Sequence, residues 1–180
     1  MLRCGVLIVL MVALPGRAAA QTNAGQMAHT RTEAHLTLDL PYEVAAPMFG
    51  PLEEENWEPD WKPQFLYPNP PVDREGAVFQ VDFSPTHRSV WVMTKYDLAD
   101  GHIQYVFTIS HAVVTLVDIA FERNGAKKTE VTVVHERTAL DPSVNEPVQA
   151  MAKSDASQVA AWKPAIEAYG ARLKAAHTKP

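Results

Sequence analysis

Apolar and polar positions alternate through most of the middle of this chain, with a period of two. The first such stretch, Ala34 to Leu40 (AHLTLDL), sets Leu36, Leu38 and Leu40 on one face and predicts a strand ended by Pro41. Tyr42 to Glu55 has no period of two and predicts one or two short helices, broken at Gly50-Pro51. After Gly76 the alternation returns in five stretches: Ala77–Phe83, Ser89–Asp97, His102–Ser110, Val113–Glu122 and Lys128–Thr138. Asp100-Gly101 and Asn124-Gly125 separate neighbouring stretches in the way tight hairpins do, so these are read as antiparallel strands in succession. Ser89–Asp97 is apolar on both faces at its start, which leaves its register open. Ile103, Tyr105, Phe107 and Ile109 share a face, as do Val131, Val133, His135 and Arg137.

The pattern then changes period. Val148, Met151, Val159, Trp162, Ile166, Tyr169 and Leu173 recur at steps of three and four, giving one long helical stripe. Asp155 falls within that stripe and Pro164 within the helix, where it predicts a bend near Ala160. Ser143 and Glu146 have the spacing of a capping box and predict the helix start. The expected fold class is therefore α+β: an antiparallel sheet of six or seven strands, two short helices after the first strand, and a long C-terminal helix. Twisted strands make such a sheet curl, the helix lies across its concave face, and a pocket forms between them.

The N-terminus is read separately. Arg3, the apolar run Gly5–Leu14 and the small residues Ala18-Ala19-Ala20 have the form of a secretory signal peptide over residues 1–20. The run is too short to span a bilayer. Residues 21–32 are expected to be a flexible lead-in to a domain over 33–175. Cleavage after Ala20 takes away Cys4, the one cysteine, and leaves 14 basic against 21 acidic side chains. That acidic balance weighs against nucleic acid and anionic membranes as partners, and is compatible with an apolar small molecule.

Several strings resemble the START-like, or SRPBCC, superfamily of lipid-transport and polyketide cyclase/dehydrase type. They are Trp61-Lys62-Pro63-Gln64-Phe65-Leu66-Tyr67-Pro68, Val90-Trp91 with Tyr96-Asp97, Lys128 to Val133 before Arg137-Thr138-Ala139-Leu140, and Trp162-Lys163 with Ile166 to Tyr169. The resemblance covers Glu33 to Leu173 and implies the helix-grip arrangement with its ligand cavity. It places Asn56–Pro71 (NWEPDWKPQFLYPNPP), which carries four aromatics and five prolines, over the wall or mouth of that cavity. Trp57, Trp61, Phe65 and Tyr67 then either plug the gap between helices and sheet or touch ligand. The expected cavity residues are Trp61, Phe65, Phe79, Tyr96 and Tyr105, with Phe107, Val117, Val133, His135 and Trp162 completing the lining.

Candidate chemistry is sparse. The seven histidines show no metal-ligand spacing, so no metal and no cofactor are expected. A Gly-x-Ser-x-Gly elbow is lacking, and the glycines form no phosphate-cradling loop. His135, Arg137 and Tyr105 share the inner face and would suit acid–base work on a carbonyl compound. The preferred reading is the plainer one, with His135 a satisfied core histidine and Arg137 a strand-end group reaching water or an acid. Glu53-Glu54-Glu55 is expected to be a solvated face, and Asp155 faces either the cavity or its rim. Three functions are compatible with these residues: an exported protein holding a hydrophobic small molecule or lipid, a cyclase- or dehydratase-like enzyme on the same scaffold, or an interaction module whose core is filled.

Overall fold

The computed structural model describes residues 25–84, 87–109 and 112–177; the expected signal peptide, residues 1–20, lies outside them. Seven strands form one antiparallel sheet: β1 (His29–Leu38), β2 (Gln64–Tyr67), β3 (Val78–Ser84), β4 (His87–Asp97), β5 (His102–Ile109), β6 (Val113–Asn124) and β7 (Lys128–Ala139). The order across the sheet is β1-β7-β6-β5-β4-β3-β2, so the first strand closes against the last and the short β2 forms the other edge. Between β1 and β2 come α1 (Tyr42–Ala45), a 3-10 turn (Ala46–Phe49) and α2 (Pro51–Glu54). The chain ends in α3, a 33-residue helix over Asn145–His177 that packs chiefly on β1 and β7. The α+β helix-grip arrangement read from the sequence is the one found.

Local sequence explains each element. Along β7 the inner positions Thr129, Val131, Val133, Arg137 and Ala139 are buried, as period two requires. Irregular pairing between Asp82 and Ser84 and between Met93 and Lys95 interrupts the ladders of β3–β4 and β4–β5. Such bulges raise local twist and help the sheet curl. The β5–β6 side depends on Gly101, which has φ +69° and whose carbonyl accepts from the Phe121 N–H at 2.8 Å. A Cβ there would stand 2.5 Å from the Phe121 carbonyl oxygen, so only glycine fits.

Four expectations need correction. Residues 29–32 are not lead-in: β1 begins at His29, because Thr30, Arg31 and Thr32 pair with Arg137, Glu136 and His135 of β7. Gln64–Tyr67, in the proline-rich stretch to which the alternation assigns no strand, is β2; at a sheet edge the flanking Pro63 and Pro68 cost no ladder bonds. Ser143 does not cap the long helix. Asp141 accepts from the Ser143 N–H at 2.8 Å to start a 3-10 turn (Pro142–Val144), and α3 continues from Asn145. The acidic run Glu53–Glu55 is not uniformly solvated, since Glu54 borders a cavity.

Candidate functional site

The concave face is organised in rows that cross the strands. One row runs Met93–Tyr105–Val117–His135, and the next runs Phe79–Trp91–Phe107–Thr115–Arg137. Above the rows sit the α1–α2 segment on one side and α3 on the other. Between these layers lies a cavity of about 320 Å³. Its sheet wall is Trp91, Tyr105, Phe107, Val117, His135 and Arg137; its helical wall is Phe49, Glu54, Trp57, Glu58, Trp61 and Trp162.

Asn56–Pro71 builds part of this wall. Trp57 and Trp61 are each only 5 % exposed. Trp57 donates its indole N–H to the Met48 carbonyl at 2.7 Å, and Trp61 donates to the Pro51 carbonyl at 2.9 Å. A buried indole needs such a partner, and both partners lie on the short helical segment, so the two rings fix that segment over the sheet. Tyr105 adds a third tie, its O–H donating to the Phe49 carbonyl at 2.6 Å. The rings also meet one another. Trp57 and Trp162 pack edge-on with centroids 6.2 Å apart, Trp61 packs edge-on against Trp91 at 5.0 Å, and Trp91 stacks on Phe107 at 3.8 Å.

Six of the ten expected cavity residues border the space: Trp61, Tyr105, Phe107, Val117, His135 and Trp162. Phe79 and Val133 are wholly buried in the core behind it, while Phe65 and Tyr96 pack half-buried against the core. Phe65 stacks on Phe79 with centroids 5.5 Å apart, a packing role at the β2 edge.

The polar end of the cavity is a locked ion pair. Arg137 of β7 donates to both carboxylate oxygens of Asp155 on α3, at 2.6 and 2.8 Å, and Thr32 of β1 donates to the same carboxylate. Burial works to raise the Asp155 carboxyl, but these hydrogen bonds and the charges of His135 and Arg137 outweigh it and hold it below its ordinary value. Asp155 thus pins the long helix to two strands. His135 stands beside it, with Nδ1 3.8 Å from Asp155 Oδ1 and without a hydrogen-bond partner among the described residues. Burial first, and the Arg137 charge second, push its pKa down to about 4 against the pull of Asp155. The imidazole is therefore neutral at physiological pH and is not a satisfied core histidine.

Glu54 is the residue that sequence reading passed over. Of the three consecutive acids, Glu53 accepts from the Tyr169 O–H at 2.6 Å, Glu55 pairs with Lys62 at the surface, and Glu54 borders the cavity. Burial, with the charges of Glu58 and Asp73 adding, pushes its pKa well above the ordinary carboxyl value. Asp73 lies just behind, accepting from the Leu52 N–H at 3.2 Å at the start of α2. Its own pKa is raised to about 6, mainly by burial. Gly50 makes that approach possible, since a Cβ there would fall 2.3 Å from Asp73 Oδ2. One clue was available: α2 spans a single turn, so three successive side chains about 100° apart cannot all face water.

A larger depression of about 840 Å³ lies between α1 and the C-terminal half of α3. Its acids Asp39 and Glu43 are engaged at the surface with Lys128 and Arg123. The smaller cavity is the candidate site because it lies between the sheet and the long helix, with Glu54, His135 and Arg137 set among the aromatic rings that line it.

Neither the protein-family models nor the curated proteins include a match to this sequence. Solved structures do match in shape. Norcoclaurine synthase from Thalictrum flavum superposes with a TM-score of 0.63 at 12% identity, covering 83% of this chain and 98% of that one. The ZhuI aromatase/cyclase from Streptomyces gives 0.61 at 16% identity, with 83% and 98% covered. An uncharacterized protein from Rhizobium leguminosarum gives 0.60 at 13% identity, with 83% and 99% covered. The chain has the START-like, or SRPBCC, helix-grip fold. At these identities the likeness is one of fold, and a helix-grip fold serves binding proteins and cyclases alike. Among the described residues no helix is long and apolar enough to cross a membrane.

Proposed function

We propose that this protein binds a compact, largely aromatic small molecule in the cavity between its sheet and α3. The observation that carries this reading is the cavity itself. Trp61, Tyr105 and Trp162 border about 320 Å³ of space without filling it, which weighs against an interaction module with a packed core. That volume is at the lower end of small-molecule sites. It favours a ligand of one or two fused rings over a long-chain lipid. Indole N–H groups turned toward backbone carbonyls present ring faces to the ligand, which suits an aromatic guest. Export belongs to the same proposal and rests on the signal-peptide pattern of residues 1–20; intact mass of the secreted chain should correspond to a start at Gln21.

Acid–base catalysis by His135 and Arg137 has less support. Arg137 is held bidentately by Asp155 and is no proton donor, and His135 is neutral with its Nδ1 buried. Titration of tryptophan emission with 2-naphthol and, in parallel, with palmitate tests the binding reading. Saturable quenching by the naphthol and none by palmitate is expected. No response to naphthol, or preference for the fatty acid, would overturn it.

A further inference from the structure

An antiparallel sheet with helices on its inner face commonly presents polar side chains on its outer one. Here the outer face is apolar across its middle. In register, Tyr67 of β2 stands beside Val78 of β3, Val78 beside Val92 of β4, Val92 beside Val106 of β5, and Val106 beside Leu116 of β6. These five make one stripe across five strands, and Val90 and Val114 add to it in the next row. Tyr67 is 50 % exposed and Val90 37 %, and the others are half-buried. The short helices and α3 pack on the opposite face, so among the described residues no helix covers the stripe. Its two ends carry opposite charge. Arg74 donates to the Tyr67 hydroxyl at 2.9 Å with its guanidinium 5.3 Å from the ring centre, and among the described residues no acid pairs with it. Beyond Leu116 the row reaches Glu136 of β7, whose ion-pair partner among the described residues is a histidine, His29, at 3.5 Å. Arg31, next in the row, is already paired with Glu33.

We propose that two copies of this chain meet through the outer face, as a twofold dimer whose axis runs along the strands between β4 and β5. A twofold interface must match its own surface after a half-turn. This axis reverses the stripe, so Val92 meets Val106 of the second copy, Val78 meets Leu116, and Arg74 meets Glu136. Apolar side chains are then buried against apolar ones, and the two Arg74–Glu136 contacts form together at the rim. An axis along the stripe would instead set Arg74 against Arg74 and Glu136 against Glu136. The central positions are uncharged, so no ion is stranded in the contact. Five strands spaced by about 4.8 Å, over the roughly 27 Å length of β5, offer roughly 650 Å² per copy. A standard interface takes about 800 Å² from each partner. The curl of the sheet draws the ends of the two stripes apart, and the long side chains of Arg74 and Glu136 span that gap. A face a little under standard size predicts a dimer that dissociates on dilution, with a Kd of the order of micromolar. The contact lies on the other side of the sheet from the cavity and does not depend on the small-molecule reading.

The test is sedimentation equilibrium of the secreted chain from about 1 μM to about 200 μM, in about 0.15 M salt to screen its acidic net charge. The mass should rise from one chain to two across that range. Val106→Lys sets an ammonium against Val92 of the second copy and should hold the mass at one chain throughout. Quenching by 2-naphthol should be unchanged in that variant, because the cavity is on the other face. Glu136→Arg and Arg74→Glu should each weaken association at least about tenfold, through two contacts turned from attraction to repulsion. The two changes together should restore it. One chain at every concentration of wild type would overturn the proposal and leave the stripe to a different partner. A dimer that survives Val106→Lys, or a charge swap that associates no better than either single change, would also overturn it. The wild-type series and the exposed charge pair decide the matter even if Val106→Lys does not fold, and the naphthol titration judges ligand binding separately.

Discussion

Asp155→Ala should be among the most damaging single changes in this protein, and the magnitude comes from the charge it strands. The Arg137 side chain is 7 % exposed and the Asp155 side chain 2 %. Both carboxylate oxygens accept from Arg137, and Thr32 donates to the same group, while Arg137 Nε has no acceptor among the described residues. Removing the carboxylate leaves a buried guanidinium without its counter-charge and removes this polar tie of α3 to β1 and β7. Breaking a buried pair from one side costs about 3–5 kcal/mol. Domains of this kind unfold at about 5–15 kcal/mol, so about a fifth or more of the stability is at stake. The melting temperature should fall by about 6–20 °C. Urea unfolding followed by the emission of the four tryptophans measures it. The double variant Arg137→Met, Asp155→Leu is the control, since it removes both charges together and should lie within about 1 kcal/mol of wild type. A single variant as stable as wild type, or a double variant as unstable as the single, would refute the reasoning that this pair pins the helix.

Other outcomes come from the same geometry. His135 has its pKa lowered from 6.5 to about 4, so between those values the unfolded chain holds a proton that the native state refuses. Stability from this group is complete above pH 6.5 and is lost as pH falls through the window, by up to about 3 kcal/mol. Urea midpoints at pH 7 and pH 5 should therefore separate less in His135→Gln than in wild type; Asp73 and Glu54, whose raised values act in the opposite sense, cancel in that comparison. Gly101→Ala forces a left-handed residue against the Phe121 carbonyl and should cost about 1–3 kcal/mol by the same assay. Phe107→Ala removes the ring stacked on Trp91 and should cost about 3–5 kcal/mol while enlarging the cavity. Its naphthol affinity should fall, and an unchanged affinity would place the ligand elsewhere.

Much of the fold was legible because its determinants are local and periodic. The inward parity of Val131, Val133 and Arg137 can be read from alternation alone, and the long helix from its stripe. β4 resisted because Val90, Trp91, Val92 and Met93 are apolar on both faces, and because the irregularity between Met93 and Lys95 shifts the parity of the rest of the strand. β2 was hidden by its prolines, which an edge strand tolerates. The site was harder. Asp155 did stand out as an acid interrupting an apolar stripe, but its partners Arg137 and Thr32 are 18 and 123 residues away in sequence, and no local pattern joins them. Glu54 resembles its neighbours Glu53 and Glu55 in every respect except direction, and a one-turn helix has no period from which to read direction.

Native mass spectrometry of the secreted protein, purified without detergent, tests the central claim most directly. A discrete added mass of a few hundred daltons, lost on denaturation and displaced by 2-naphthol, is the result expected of a ligand-holding cavity. A bare polypeptide mass that stays bare under a large excess of naphthol would contradict it and show that the aromatic cavity between sheet and helix is not a ligand site.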